Sequence, residues 1–487
     1  MKLTPQQTAF LDACSDTDSL ILDSVAGSGK STTLALGADV IPGTGFATSF
    51  SKLTTEDLKK KMPSSFPAST MHSAGLAALK KAWGKVTTDT SANKIYNFVK
   101  KEVDKIEGDW KLTNPILRLI DTAQTAGIMP NNERALLPDT RETWEALAEQ
   151  YDIDFDLQIY TIAHAGLVHS TKVALEEHIV TFNEMLSLPF LFPFRVSQHK
   201  TIIVDEAQDL SPIQHALIAR MLRQGGRIIG AGDKFQAIYG FRGAMTNSYS
   251  EFVEKFSARE MQLSVSFRCP KAVISEAQRL VPHIQSAPSA IEGSVTTHGD
   301  IQIANLPRVI ICRNNSPLIK LALRLLAQGH PAEIAGKDIG AGLKALTNRV
   351  DSRRDSDHTS IGNFLDRLDR WGEKEIARKP KSAGRVADKI AALYAISESC
   401  RTLGDIRKKL ESLFASPTKM NENGFLLSTI HKCKGLEWPH VAILDPWLMP
   451  SKFAEQEWEK QQEHNLSYVA ITRAQQTLHY VNSDSIT

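Results

Sequence analysis

Two short stretches carry the residue types from which chemistry could be built. The first, Asp23-Ser24-Val25-Ala26-Gly27-Ser28-Gly29-Lys30-Ser31-Thr32-Thr33, follows the apolar run Leu20-Ile21-Leu22 and precedes Leu34-Ala35-Leu36. It reads as strand, small-residue loop and helix start. Gly27 and Gly29 let backbone N–H groups turn inward without a Cβ clash, Lys30 can reach outer phosphates, and Ser31 offers a hydroxyl to Mg2+. The helix N-terminus adds partial positive charge. Against the spacing G-x-x-x-x-G-K-[ST], position 24 holds Ser instead of Gly, so an ordinary turn before a helix stays open as the alternative. The second stretch is Thr201-Ile202-Ile203-Val204 followed by Asp205-Glu206-Ala207-Gln208-Asp209. Four β-favouring residues ending in two acids place carboxylates at the carboxyl edge of a parallel sheet, where open α/β folds bind nucleotides. Asp205 could hold Mg2+ there and Glu206 could orient and deprotonate a water. A solvated acidic turn is the bland alternative.

The elements that must position these groups belong to a large folded chain. Its 487 residues suggest three or four structural units, and 42% hydrophobic with 23% charged residues is a globular composition. A net charge of only +2 means that any nucleic-acid surface is a local stripe. The five cysteines are scattered, odd in number and without a C-x-x-C pair, which argues against a disulfide framework or a zinc site. No apolar run approaches a bilayer span and the N-terminus lacks a signal-peptide core, so a cytoplasmic protein with no membrane partner is expected.

In chain order, Leu3 to Ala13 reads as an opening helix whose glutamines could present a donor and an acceptor to an adenine edge. A strand at 45–50 and a helix at 53–62 follow the phosphate loop. The polar stretch 68–75 contains His72, and 75–198 is mainly helical with no catalytic constellation. A strand at 227–230 leads to the loop 232–244, where Tyr239 and Phe241 either stack bases or join the core. Phe267-Arg268 pairs a flat ring with a fixed cation. A second strand–helix alternation occupies 309–312, 316–328, 332–334, 425–428, 441–444 and 478–481. Between its halves the charge runs at 351–355, 378–381 and 406–410 read as solvated helix faces.

The ordered motifs resemble the UvrD/Rep-like branch of superfamily 1 DNA helicases. Leu3-Thr4-Pro5-Gln6-Gln7 looks like that family's adenine-reading segment, with Gln7 in place. Ala26-Gly27-Ser28-Gly29-Lys30-Ser31 looks like its phosphate loop, whose first position is often alanine. Ser49-Phe50-Ser51 and Thr70-Met71-His72 resemble its single-strand motifs T-F-T and T-F-H. Asp205 to Asp209 match D-E-A-Q-D, and 232–244 resembles G-D-x-x-Q-S-I-Y-x-W-R-G-A with Phe241 in the tryptophan position. Ser266-Phe267-Arg268 stands for N-Y-R, and Arg313-Asn314-Asn315 for R-T-N. Thr429 to Trp438 resembles T-x-H-x-x-K-G-L-E-[FW], and Tyr468 to Ala474 resembles Y-V-x-x-T-R-A.

The resemblance implies an α/β protein with two RecA-like parallel-sheet P-loop domains, each with a mainly helical insertion. Residues 1–75 and 196–266 would form the first domain and 76–195 its insertion; 267–349 and 424–487 would form the second, with 350–423 as a small charged insertion. ATP and Mg2+ are the implied cofactors, shared in the cleft between domains. Gln7, Gly27, Ser28, Gly29, Lys30, Ser31, Thr32, Phe267 and Glu437 would hold nucleotide, with Phe267 on adenine and Glu437 on ribose. Ser31 and Asp205 would hold metal, and Lys30, Glu206, Gln236, Arg268 and Arg473 would carry catalysis, the two arginines as fingers. Phe50, Thr70, His72, Tyr239, Phe241, Arg313, Asn315, Thr429 and His431 would grip single-stranded DNA. Travel would run 3′ to 5′, on single strands and on 3′-tailed duplex. The second insertion is shorter than the family's usual one and no tail follows the last strand, so a compact member acting as a monomer is expected, with replication, repair or defence proteins as partners. The alternative is an ATP-gated single-strand-binding subunit of such a complex that unwinds little by itself.

Overall fold

Runs rich in Ile, Val and Leu form strands buried on both faces, the pattern a parallel sheet covered by helices demands. Ile202, Ile203 and Val204 are fully buried, as are Ile310 and Ile311. The computed structural model describes residues 3–106, 112–151, 153–238, 247–353, 355–378, 383–414 and 424–487. The chain divides into two units, Met1–Leu263 and Ser264–Thr487.

In the first unit a five-stranded sheet runs in the spatial order Phe46–Ser49, His199–Asp205, Leu222–Gly232, Leu20–Ser24 and Arg259–Leu263. Every pairing is parallel. All five strands therefore end on one edge, and the loops that follow Ser24, Ser49, Asp205 and Gly232 emerge together there. Between the second and third strands in sequence, helices Asn93–Lys105, Thr113–Ala126, Arg141–Gln150 and Leu157–Glu177 build their own core around Trp144, which is fully buried and donates its indole N–H to Asp139 at 2.8 Å. A short parallel pair, Thr87–Asp89 with Ile179–Thr181, adds strand to a stretch expected to be mainly helical.

The insertion is tied to the sheet domain by Arg220, from the last turn of helix Pro212–Met221. Its guanidinium donates to the carbonyls of Pro189, Phe190, Phe192 and Phe194 at 2.7–2.8 Å. Arg220→Met removes the charge-assisted donors and leaves carbonyls unpaired, so the first unit is expected to lose about 2–4 kcal/mol of stability in denaturant unfolding.

His215, on the same helix, is 1% exposed. Ser248 spends its hydroxyl proton on the Ala207 carbonyl at 2.8 Å, so it accepts from His215 Nε2 at 2.9 Å and fixes the neutral Nε2–H tautomer. Nδ1 is buried without a partner. Burial, with the Lys255 charge second, pushes the pKa down to about 4. The unfolded chain, with an ordinary histidine pKa near ~6.5, binds this proton first. The stability contribution is therefore complete above that value and is lost as pH falls from it toward 4. Melting of the protein at pH 7.5 and pH 5 should show a drop that is smaller in His215→Gln.

In the second unit a six-stranded, all-parallel sheet runs Ser294–Thr297, Ala474–Val481, Trp438–Leu444, Val309–Cys312, Phe425–Thr429 and Ala332–Ile334. Helices Ile361–Arg378, Ala383–Ser397 and Leu403–Leu413 do not form a separate core. Their Phe364, Leu393, Leu403 and Ile406 join the cluster that contains Ile310, Phe425 and Leu427 of the sheet. The reading of 351–355 as a solvated face is corrected at Asp351. Its side chain is fully buried, held by Arg353 and Arg367 at 2.8 Å and by the Thr359 hydroxyl at 2.8 Å. These partners, Arg353 foremost, keep its carboxyl well below the usual carboxylate range. Charge composition alone could not separate this one acid from its exposed neighbours.

Candidate active site

The phosphate loop is built where the strand Leu20–Ser24 gives way to the helix Lys30–Val40. Gly27 and Gly29 adopt positive φ of 73° and 77°, the conformation for which glycine was read at these positions. Ser24 requires no such freedom. It is the last residue of the extended strand, and its buried hydroxyl donates to the Gly232 carbonyl at 2.8 Å, joining two neighbouring strand ends. Ser28 Oγ is buried in the loop without a hydrogen-bond partner, an orphaned polar atom that an anion's oxygens would satisfy. Thr32 lies half-buried in the first helical turn.

Four groups converge at the carboxyl edge. Lys30 Nζ lies 2.5 Å from Glu206 Oε1, and Ser31 Oγ donates to Asp205 Oδ2 at 2.5 Å. Glu206 has φ +57°, ψ +43°, a left-handed backbone rare for a non-glycine residue and of the kind concentrated at functional sites. Gln208 Nε2 donates to its other oxygen at 2.6 Å, while Gln208 Oε1 accepts from the Asp233 N–H. Gln236 Nε2 donates to Asp233 Oδ2 at 2.5 Å. Burial opposes charge on Lys30, yet Glu206 and then Asp205 hold its pKa above the ordinary lysine value. Burial raises Asp205 against the pull of Lys30, and raises Asp233 to about 7. The adjacent hydroxyl and carboxylate oxygens of Ser31 and Asp205 are the hard ligands Mg2+ takes, with phosphate oxygens and water completing its shell. Among the described residues there is no three-residue His/Cys/Asp/Glu metal cluster.

Gln7 is 3% exposed. Its Oε1 accepts the Thr4 N–H at 3.0 Å in a capping box, and its Nε2 donates to Thr33 Oγ1 at 3.1 Å. The amide thus braces the phosphate-loop helix against the opening helix.

In the second unit, Arg268 Nε is paired with Glu437 Oε2, and Arg268 Nη1 reaches the Thr472 carbonyl at 3.5 Å. Arg473 is fully buried, donating to the carbonyls of Val469 and Leu436 at 2.9 Å and to Thr472 Oγ1 at 3.2 Å. Burial, and then the Arg268 charge, lower its pKa to about 10. Phe267, beside Arg268 in sequence, is 50% exposed, an open flat ring.

The residues expected to grip a strand fall on two sheet edges. Segment 67–69 bridges in parallel to the strand Phe46–Ser49, so Phe50 and Thr70-Met71-His72 leave the first sheet side by side. Thr70 caps the helix Met71–Trp83. His72 stacks on Phe182, with ring centroids 3.7 Å apart, and burial lowers its pKa to about 4. Phe182 is 50% exposed and went unread in the sequence, where an aromatic at a strand-to-helix junction was the available signal. Tyr239 and Phe241 lie outside the described residues. In the second sheet, Arg313 and Asn315 follow one strand, while Thr429 ends its neighbour and His431 follows it. Arg313 forms a two-pronged pair with Glu463 at 2.7–3.1 Å, and Asn315 is held by Asp388 at 3.0 Å. Thr429 is 7% exposed and ends its strand. Glu463 and Asp388, both distant in sequence from their partners, were missed.

Two RecA-like parallel α/β domains, the first carrying a phosphate loop faced by an Asp-Glu pair, define a P-loop nucleotide-binding protein. Residues 3–257 match the UvrD/REP helicase N-terminal domain and residues 359–484 the UvrD-like helicase C-terminal domain. The chain belongs to the UvrD/REP helicase family. Among curated relatives, F-box DNA helicase protein 1 of Schizosaccharomyces pombe is 29% identical over 61% of this chain and 35% of its own length. DNA helicase II of Escherichia coli is 26% identical over 33% of this chain and 21% of its own length. The matches therefore span about a third or less of these relatives. A looser likeness is to the arterivirus nonstructural protein 10 helicase, at 12% identity and TM-score 0.35 over 96% of this chain and 60% of that one. No described helix is long and apolar enough to cross a membrane.

Proposed function

We propose that this chain is an ATP-dependent DNA helicase that moves 3′ to 5′ on single-stranded DNA and displaces the complementary strand. The observation that carries the reading is the quartet Lys30, Ser31, Asp205 and Glu206 on one sheet edge, with 2.5 Å contacts inside each pair. Lys30 and the backbone of residues 27–31 bind the phosphates of ATP, and Ser31 and Asp205 hold Mg2+, which neutralises phosphate charge when bound. Glu206 positions and deprotonates the attacking water. Gln236 sits one hydrogen bond from Asp233 and reports the terminal phosphate to the loop that follows it. Arg268 supplies positive charge to the transferring phosphoryl group. Phe50, His72 with Phe182, and the strand ends at 313–315 and 429–431 contact the DNA single strand, the rings by stacking on bases.

The test is displacement of a labelled strand from 3′-tailed and 5′-tailed duplexes with ATP and Mg2+. Displacement from the 3′-tailed duplex alone is expected. Single-strand-stimulated hydrolysis with no displacement from either would replace this reading by that of an ATP-gated DNA-binding subunit, and displacement from the 5′-tailed duplex alone would reverse the direction.

A further inference from the structure

The loop after strand Trp438–Leu444 leaves the carboxyl edge of the second sheet beside the loop after Val309–Cys312, because Leu444 and Cys312 are register partners. One carboxylate ties the two loops together. Glu463 takes the two-pronged guanidinium of Arg313 and accepts the Ser451 N–H at 2.9 Å. Two residues on, the Phe453 N–H donates to Ser451 Oγ at 3.3 Å. The Phe453 ring lies so close to Gly384 of helix Ala383–Ser397 that a Cβ there would come within 2.3 Å of it. One turn along that helix, Asp388 accepts the backbone N–H groups of Asn315 and Ser316 and the Asn315 side-chain amide at 2.9–3.1 Å. Arg313, Phe453 and Asn315 are thus joined by an unbroken run of contacts inside the second unit.

Phe453 keeps 37% of its surface exposed, with Lys452 Nζ 5.2 Å over the ring. Arg385 and Lys389 are exposed and four residues apart, so they share one helix face. That face lies about 100° around the helix from the stripe of Gly384 and Asp388 that meets the strand ends. The acids inside this run of contacts, Glu463 and Asp388, are already engaged by N–H donors. An open ring flanked by cations is the combination that holds a single strand, by stacking on a base and pairing with phosphates.

We infer that Phe453 is a base-stacking contact for single-stranded DNA and that Arg385 and Lys389 take phosphates of the same strand, which runs from residues 313–315 across Phe453 onto helix Ala383–Ser397. The inference rests on the reading of 313–315 as a DNA contact. It makes the small second insertion part of the grip. Lys452 carries its ammonium on a flexible stem, so it can yield the ring to a base and meet the phosphate that arrives with it. The stack makes affinity depend on bases, and the cations make it depend on salt.

The experiment measures binding of the full chain to a labelled oligothymidylate and to an abasic oligomer of equal length, across a salt series. The variants are Phe453→Leu, which keeps an apolar contact at Gly384 but loses the flat face, and the double variant Arg385→Gln with Lys389→Gln. Phe453→Leu is expected to weaken oligothymidylate binding about tenfold, the scale of one lost base stack, with little change on the abasic oligomer and an unchanged melting temperature. The double variant should lower the slope of log affinity against log salt by about 1.4 on both oligomers, as two lost phosphate contacts on a single strand do. Equal effects of Phe453→Leu on the two oligomers, no effect on either, or an unmoved salt slope in the double variant overturns the inference while leaving the DNA reading intact. Failure of the wild type to bind oligothymidylate overturns the DNA reading itself, and the inference with it.

Discussion

Glu206→Gln should bind ATP and single-stranded DNA yet hydrolyse ATP about a thousandfold more slowly, within the range a positioned general base contributes. The substitution keeps the side chain's shape and an oxygen for the Gln208 donor, but it removes the negative charge and with it the capacity to take a proton. The same change frees Lys30 from its 2.5 Å counter-ion, so nucleotide affinity should hold or rise. Lys30→Ala should behave differently and lose binding as well as turnover, because no other lysine or arginine lies within the loop Val25–Ser31. Phosphate release measured beside equilibrium binding of a fluorescent ATP analogue separates the two outcomes. Wild-type-like hydrolysis by Glu206→Gln would remove Glu206 from the chemistry and leave its strained backbone unexplained.

Arg268→Ala should lower kcat about 10³-fold or more, as loss of an arginine finger does, with a much smaller change in the KM for ATP. Its guanidinium is tied mainly to a half-exposed carboxylate, so removing it disturbs little of the fold, and the melting temperature should stay near that of the wild type. Arg473→Ala is the contrasting case. Its side chain is fully buried, and truncation would leave the Val469 and Leu436 carbonyls unpaired beside a cavity. Loss of activity there should come with a clear drop in thermal stability. Equal kinetic and thermal behaviour of the two variants would contradict the distinction between a movable and a fixed arginine.

Much of this site was legible because its chemistry is local. A strand, a glycine turn and a helix start occur within a dozen residues at the phosphate loop, and the change of period from strand to helix marks the loop in the chain itself. The acids at 205 and 206 end a run of β-branched residues, so their place on a parallel sheet edge followed from residue type and order. The strand–helix alternation was readable in both halves of the chain, while the second parallel sheet was expected from the family resemblance and is found in the fold.

Tertiary structure decided what depends on residues far apart in the chain. Ser24 stands where the motif prefers glycine, and only the neighbouring strand end at Gly232 supplies its hydroxyl partner and its reason. Asp351 sits in a charge run that reads as solvated, and only the approach of Arg367 and Thr359 makes it a buried anchor. Arg313 finds Glu463, Asn315 finds Asp388 and His72 finds Phe182 because strand order and helix packing bring them together. The sequence by itself determined which groups can handle phosphate and a proton, since identity and short spacing suffice for that. Which partner restrains each of them was decided by the fold, because pairing across a sheet or between packed helices follows from topology, and topology leaves no local mark in the chain.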